Sequence, residues 1–278
     1  MLSRWEIRLH GQAGAAIPIT APQALVSRWL DDPPPRRAGN ATGPARLSGH
    51  DDQVRKWACG PLRSLPAEPG SNATHLALQI RTFDSRLDTK LEDTINVGTR
   101  LRLGNGEFEI TAPPELAAQA SWQSLRRWTG TRAWQIHFLT PTCFRRGSRT
   151  SPWPAPETLA RGLTDRWRRL HPQTAPPPPA PGPASIWVSD IDGRSDVHTL
   201  TRNVRRHGTW HTEDEIISGF TGRIRYVCDN GTDNQAAAFD ALIAFAAYSG
   251  AGSHTTYGFG ILRPEPTWQP PTTRSPAP

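Results

Sequence analysis

The sequence predicts an α+β protein of two tandem ferredoxin-like units, each running β-α-β-β-α-β as in RNA-recognition-motif (RRM-like) domains, with a glycine-rich loop near the end. Three observations carry this expectation. The 278 residues exceed one average domain. Each half opens on a period-two alternation, Trp5, Ile7 and Leu9 in the first and Trp134, Ile136 and Phe138 in the second. The order of strand, helix and further strands in the first half then recurs in the second, and that order is the split βαβ motif, whose open sheet face is the platform of many RNA-binding domains.

In the first half, Thr20-Ala-Pro-Gln23 has the form of a capping box ahead of Leu25, Val26, Trp29 and Leu30, which predicts a helix. Residues 31–49 are rich in Pro, Gly and Arg. A strand is expected near Trp57, a clearer one over residues 76–80, and extended segments through Ile110. In the second half, Leu159, Leu163, Trp167 and Leu170 share one helical face, with Arg161, Arg166, Arg168 and Arg169 read as solvated around the rest. Pro176 to Pro179 cannot join a sheet ladder and mark a surface loop. Extended segments follow over residues 186–188, 197–200 and 224–227. Thr232-Asp-Asn-Gln235 then caps a helix that turns Phe239, Leu242, Ile243 and Ala246 inward and ends at Gly250. A short strand is expected over residues 259–262. The domains are accordingly set at 1–125 and 126–265, with a disordered Pro/Thr-rich tail at 266–278.

The formal charge is +7 and the pI about 10.1, and Lys56 and Lys90 are the only lysines. Guanidinium forks grip phosphates in bidentate fashion and stack on bases, so an arginine-based positive charge leans toward nucleic acid. A GC-rich genome produces the same bias, so charge alone does not choose. Cys59, Cys143 and Cys228 are odd in number and far apart, which fits a reducing compartment better than a disulfide framework or a zinc ribbon. The opening MLSRWEIRLH lacks an apolar signal core, and residues 236–248 are too short and too interrupted to span a bilayer. A cytoplasmic protein without membrane contact is the expectation.

The segment 248–260, Tyr-Ser-Gly-Ala-Gly-Ser-His-Thr-Thr-Tyr-Gly-Phe-Gly, places glycines at 250, 252, 258 and 260. Glycines let backbone N–H groups approach phosphate oxygens closely, and Ser253, Thr255, Thr256 and His254 add donors. It does not fit a dinucleotide fingerprint or a P-loop. A helix cap plus a bulge accounts for two of the four glycines.

Gly250 to Gly260 resembles the pattern Gly-x-Gly-x-Lys/Arg-Thr-x-x-Gly-Phe-Gly of the CRISPR-associated endoribonucleases that process precursor guide RNA, within the repeat-associated mysterious protein (RAMP) superfamily. His254 stands where that family has a basic residue. Phe138 to Arg145 and Gly219 to Gly222 are similar to further family patterns, so the resemblance covers the second half well. In the first half it rests on element order and on Lys56 to Leu62, which is similar to Lys-x-Phe-x-x-x-Pro-Leu.

The resemblance implies cleavage without a cofactor or metal: a base takes the ribose 2′-OH proton, the oxygen attacks phosphorus, and an acid protonates the leaving 5′ oxygen. It places His50 and Lys56 at the catalytic positions, His50 in proton transfer and Lys56 against the transition-state charge. Several relatives carry a tyrosine in the first helix. Here Tyr226, Tyr248 and Tyr257 all lie in the second half, and Ser27 occupies that region instead. RNA contacts are expected from Arg55, Arg145, Arg146 and the loop residues Gly250, Gly252, Ser253, His254, Thr255, Thr256, Tyr257, Gly258 and Gly260. The implied partner is CRISPR repeat RNA, with other CRISPR-associated proteins or a second copy of the chain as further partners. The alternative is a RAMP subunit that grips guide RNA without cutting it. A metal-dependent nuclease lacks the clustered carboxylates that two-metal chemistry needs.

Overall fold

A computed structural model describes residues 1–12, 14–31, 55–66, 73–147, 149–177, 185–206 and 209–265. The first unit runs β1 (Leu2–Gln12), α1 (Ala21–Leu30), β2 (Trp57–Ser64), β3 (Ala73–Thr82), α2 (Ser85–Thr94), β4 (Arg100–Leu103), β5 (Gly106–Ile110) and β6 (Glu115–Ala120). Strand β1 lies in the middle, paired along its length with β3, which in turn pairs with β2. Its other edge is shared by two strands, β6 opposite Leu2 to Glu6 and β5 opposite Leu9 to Gly11. Those two fill the place of the fourth ferredoxin strand.

The alternation of β1 decides its faces. Trp5, Ile7 and Leu9 turn toward Val26, Trp29 and Leu30 of α1 and Leu91 of α2, and all are buried. Asp88 fixes α2 to the sheet by accepting from Ser3 Oγ and Trp5 Nε1, both at 2.9 Å, and from Thr82 Oγ1.

The second unit runs β7 (Ala133–Thr142), β8 (Phe144–Arg146), β9 (Arg149–Ser151), α3 (Pro156–Leu170), β10 (Trp187–Arg206), β11 (Thr209–Val227), α4 (Asp233–Ser249) and β12 (Leu262–Glu265). Its sheet order is β10-β11-β7-β12, with β8 and β9 forming a separate hairpin. Trp134, Ile136 and Phe138 face Leu159, Leu163 and Trp167 of α3 and Phe239 and Leu242 of α4 in one core. Both units therefore have the predicted ferredoxin-like order. The core of the second unit also takes in Leu2, Ala58 and Phe83 from the first and Trp122 and Leu125 from the connection, which joins the two sheets through α4.

Four local expectations are corrected. Helix α2 interrupts what reads as continuous extended chain, capped by Asp84, whose side chain accepts from the Arg86 amide. Thr20 makes no side-chain cap bond, whereas the Thr232 to Gln235 capping box forms in full. The extended segments beyond residue 186 are two long strands. β11 pairs with β7 only from Phe220 to Val227, so the outer parts of β10 and β11 continue as a two-stranded arm. The last strand begins at Leu262 rather than 259, because Phe259 packs into a small cluster with Cys143, Leu200 and Ile217 at the base of that arm. No helix among the described residues is long and apolar enough to cross a membrane.

Candidate nucleic-acid interface

Helix α4 ends at Gly250, and residues 250–260 fold back across the sheet edge. All four predicted glycines adopt positive φ, Gly250 at 69°, Gly252 at 75°, Gly258 at 87° and Gly260 at 71°. For three of them the conformation is matched by close approach, with a Cβ at Gly250 standing 2.8 Å from the Gly260 carbonyl oxygen. A Cβ at Gly252 would stand 2.2 Å from the Cys143 carbonyl oxygen, and one at Gly260 would stand 1.9 Å from that of Ala251. The loop is tied down by Ser253 N–H to Cys143 O at 2.8 Å, Gly260 N–H to Pro141 O at 2.9 Å and Ile261 N–H to Thr140 Oγ1 at 2.9 Å.

Arg166 of α3 organises the same loop from below. Its guanidinium donates to Ser249 O at 2.9 Å, Gly250 O at 3.4 Å and Gly252 O at 2.9 Å. Burial, with a smaller contribution from the Arg169 charge, brings its pKa down to about 10, so it is still a cation at neutral pH. The helix-end carbonyls thus converge on a fixed positive charge.

His254 is the one non-glycine at positive φ among the described residues, with φ 61° and ψ 24°. Its Nε2 lies 3.7 Å from Glu215 Oε1 on the arm, and Arg145 Nη2 of β8 lies 3.9 Å from the same oxygen. The imidazole packs near Tyr257 and Phe259. The one-turn helix that follows, Thr255–Tyr257, packs on β2 and α1 of the first unit. As first residues of a turn, Thr255 and Thr256 have amides that donate to no backbone carbonyl among the described residues. Gly258 sits over the Gly60-Pro61 bulge of β2, where an added Cβ would stand 3.5 Å from the backbone.

At the start of β2, Lys56 Nζ donates to Asp84 Oδ2 at 3.0 Å. Arg55 lies over the Trp57 ring, 5.2 Å from its centroid, and 3.9 Å from Asp31, whose other oxygen accepts from Trp57 Nε1 at 2.7 Å. Ser27, half-buried on α1, accepts from Gln23 Nε2 at 3.3 Å. His50 lies outside the described residues, as does the 266–278 tail. Among the described residues no three His, Cys, Asp or Glu side chains are grouped to hold a metal ion.

Residues 136–262 match the family model for the CRISPR-associated endoribonuclease Cas6. A curated relative, the CRISPR-associated endoribonuclease Cas6 of Mycobacterium tuberculosis, is 24% identical over 218 residues, or 74% of this chain. That match spans 66% of the relative, just under two thirds of its length. A solved Cas6 product complex aligns with a TM-score of 0.66 at 21% identity, covering 95% of this chain and 100% of the other. A Thermus thermophilus Cas6 structure aligns with a TM-score of 0.60 at 19% identity, covering 95% and 98%. Residues 136–262 carry the match to the Cas6 family, and the chain has the fold of the solved Cas6 structures.

Within that Cas6 fold, the geometry gathers the glycine turn, α1 with Ser27 and the start of β2 with Arg55 and Lys56 on one side of the joint. Arg145 and Arg146 belong to β8, which follows the Cys143 carbonyl that anchors the loop, and Arg145 reaches toward Glu215. Three participants escape a reading of the sequence: Arg166, Glu215 and Asp84. Arg166 was detectable, since it falls at i+7 from Leu159 and i+3 from Leu163, on the apolar stripe of α3. Glu215 and Asp84 had no such signal.

Hydrogen bonds from Arg86, opposed by partial burial and aided by Lys56, hold the Asp84 carboxyl well below the usual carboxylate range. A depressed carboxyl stabilises the fold above its unfolded pKa of about 3.9, and that contribution is lost as pH falls through the folded value. Asp84→Ala, which also removes the α2 cap, is expected to cost about 1 kcal/mol at pH 7. Urea titrations at pH 7 and near pH 2 check this: the gap between variant and wild type narrows in acid.

Proposed function

We propose that the chain binds CRISPR repeat RNA and cuts precursor guide RNA by attack of a ribose 2′-OH on the adjacent phosphorus, leaving a 5′-OH and a 2′,3′-cyclic phosphate without a metal. The observation that supports this best is the seating of the glycine turn on β2. It brings the glycine turn of the second unit to the strand that begins seven residues after His50. In this reading the amides of Thr255 and Thr256, with Ser253, hold the RNA backbone, and Arg55, Arg145 and Arg146 add charge. His50 moves the proton, since imidazole with a pKa of about 6.5 offers both protonation states near neutrality. Lys56 meets the transition-state charge by exchanging Asp84 for the phosphate, and Ser27 orients the scissile group.

The engagement of Lys56 by Asp84 and the absence of a tyrosine from α1 favour one competing reading, a subunit that holds guide RNA without cutting it. One experiment separates them: purified protein with repeat RNA in EDTA. Cleavage to a cyclic phosphate is expected, with a 2′-deoxy nucleotide at the scissile position blocking cleavage and sparing binding. A strict requirement for Mg²⁺ rejects the mechanism, and tight binding without cleavage selects the competing reading.

A further inference from the structure

Where the two units meet, two arginines stand directly opposite each other. Arg4 on β1 pairs in register with Arg81 on β3, on the sheet face that α4 covers. Arg81 is 1% exposed. Its Nε and Nη2 both donate to Gln79 Oε1, at 3.2 and 2.8 Å, but its Nη1 is buried with no hydrogen-bond partner. Arg4 is half-buried, lies 5.7 Å from the centroid of the Tyr248 ring, and has an Nε that is likewise buried and unpartnered.

A buried cation with a second one facing it costs several kcal/mol unless something compensates it. Every nearby candidate is otherwise engaged. Among the described residues neither arginine has a carboxylate partner. Glu6, next on the same face of β1, is taken by Arg63 at 2.6 Å and Arg8 at 3.8 Å. Burial pushes the Cys59 thiol up to about 12, so it carries no charge. The carbonyls at the end of α4 are occupied by Arg166. Burial, together with repulsion from Arg4, lowers Arg81 to about 9, which leaves it charged at neutral pH.

We propose that Arg4 and Arg81 form an oxyanion site at the joint between the two units, which takes a phosphate group entering from the Arg4 side. The phosphate is supplied either by bound RNA or by a free anion. The RNA arm of the test rests on the function proposed above, and the free-anion arm does not.

The experiment is thermal unfolding of wild type, Arg4→Gln and Arg81→Met in inorganic phosphate and in chloride of equal ionic strength, with RNA affinity measured across a salt series. Phosphate is expected to raise the wild-type Tm by about 3 °C or more and to leave both variants unmoved. In chloride, Arg81→Met is expected to match or exceed wild type, because it removes an uncompensated charge. If RNA supplies the phosphate, Arg4→Gln also flattens the slope of log affinity against log salt by about 0.7, the value for one single-strand contact. Phosphate stabilisation with an unchanged slope supports the site with a free anion as its ligand. Equal phosphate effects in all three proteins, or none in wild type, overturn the site. Should Arg81→Met fail to fold, Arg4→Gln decides alone. Failure of wild type to bind RNA rejects the proposed function and leaves the phosphate result standing.

Discussion

His50→Ala is expected to lower the single-turnover cleavage rate by about 10²–10⁴-fold, the range that a positioned proton-transfer group supplies. Repeat-RNA affinity is expected to stay within about twofold of wild type, since one imidazole adds little to an interface with many arginine contacts. The split between rate and affinity is the informative part. A group that acts only on the transferring proton leaves the ground-state complex untouched. Measured in EDTA with saturating protein, a rate that survives the substitution moves proton transfer to another group. Equal losses of rate and affinity make His50 a binding residue.

Gly260→Ala is expected to be the most damaging single methyl group in the loop. The added Cβ would stand 1.9 Å from the Ala251 carbonyl oxygen at a φ of 71°, and both flanking contacts are backbone. The Ala251 amide donates to Gly260 O at 2.8 Å and Gly260 N–H to Pro141 O at 2.9 Å, so relief of the clash breaks the ties that hold the loop. Left-handed strain of about 1–2 kcal/mol adds to the lost bonds, for roughly 3 kcal/mol or more in total. Gly258→Ala supplies the control, with φ at 87° but its nearest neighbours at 3.5 Å, so only the strain remains. Urea midpoints should separate the two clearly. Equal destabilisation would mean that φ, and not close approach, sets the requirement at 260.

Where apolar periodicity was dense, the fold was legible. The alternations at Trp5 and Trp134 became the two central strands, and the Leu159 and Phe239 stripes became α3 and α4. Helix α2 escaped notice because Leu87 and Leu91 are its only apolar side chains, and its definition comes from the Asp84 cap and the buried Asp88. The arm was invisible as one hairpin because Ser, Thr, Asp and Arg dominate it, and backbone pairing rather than alternation sets its length. In the candidate site the glycines were recognised, but their explanation changes. All four answer to backbone conformation, and Gly250, Gly252 and Gly260 also to close approach, so glycine substitutions report on folding more than on RNA contact. In the sequence Arg166 reads as one more solvated charge on a basic helix. Composition cannot reveal three carbonyls that converge on it from 83 to 86 residues away.

The seating of the glycine turn against β2 also sets a schedule. Strand β2 leaves the ribosome roughly 200 residues before the turn that covers it, an interval of about 10–40 s at ordinary elongation rates. During that interval the Gly60-Pro61 bulge lacks the turn that later packs over it. The surfaces that would hold and cut an RNA are therefore joined only once the turn emerges, well after the strand that it covers.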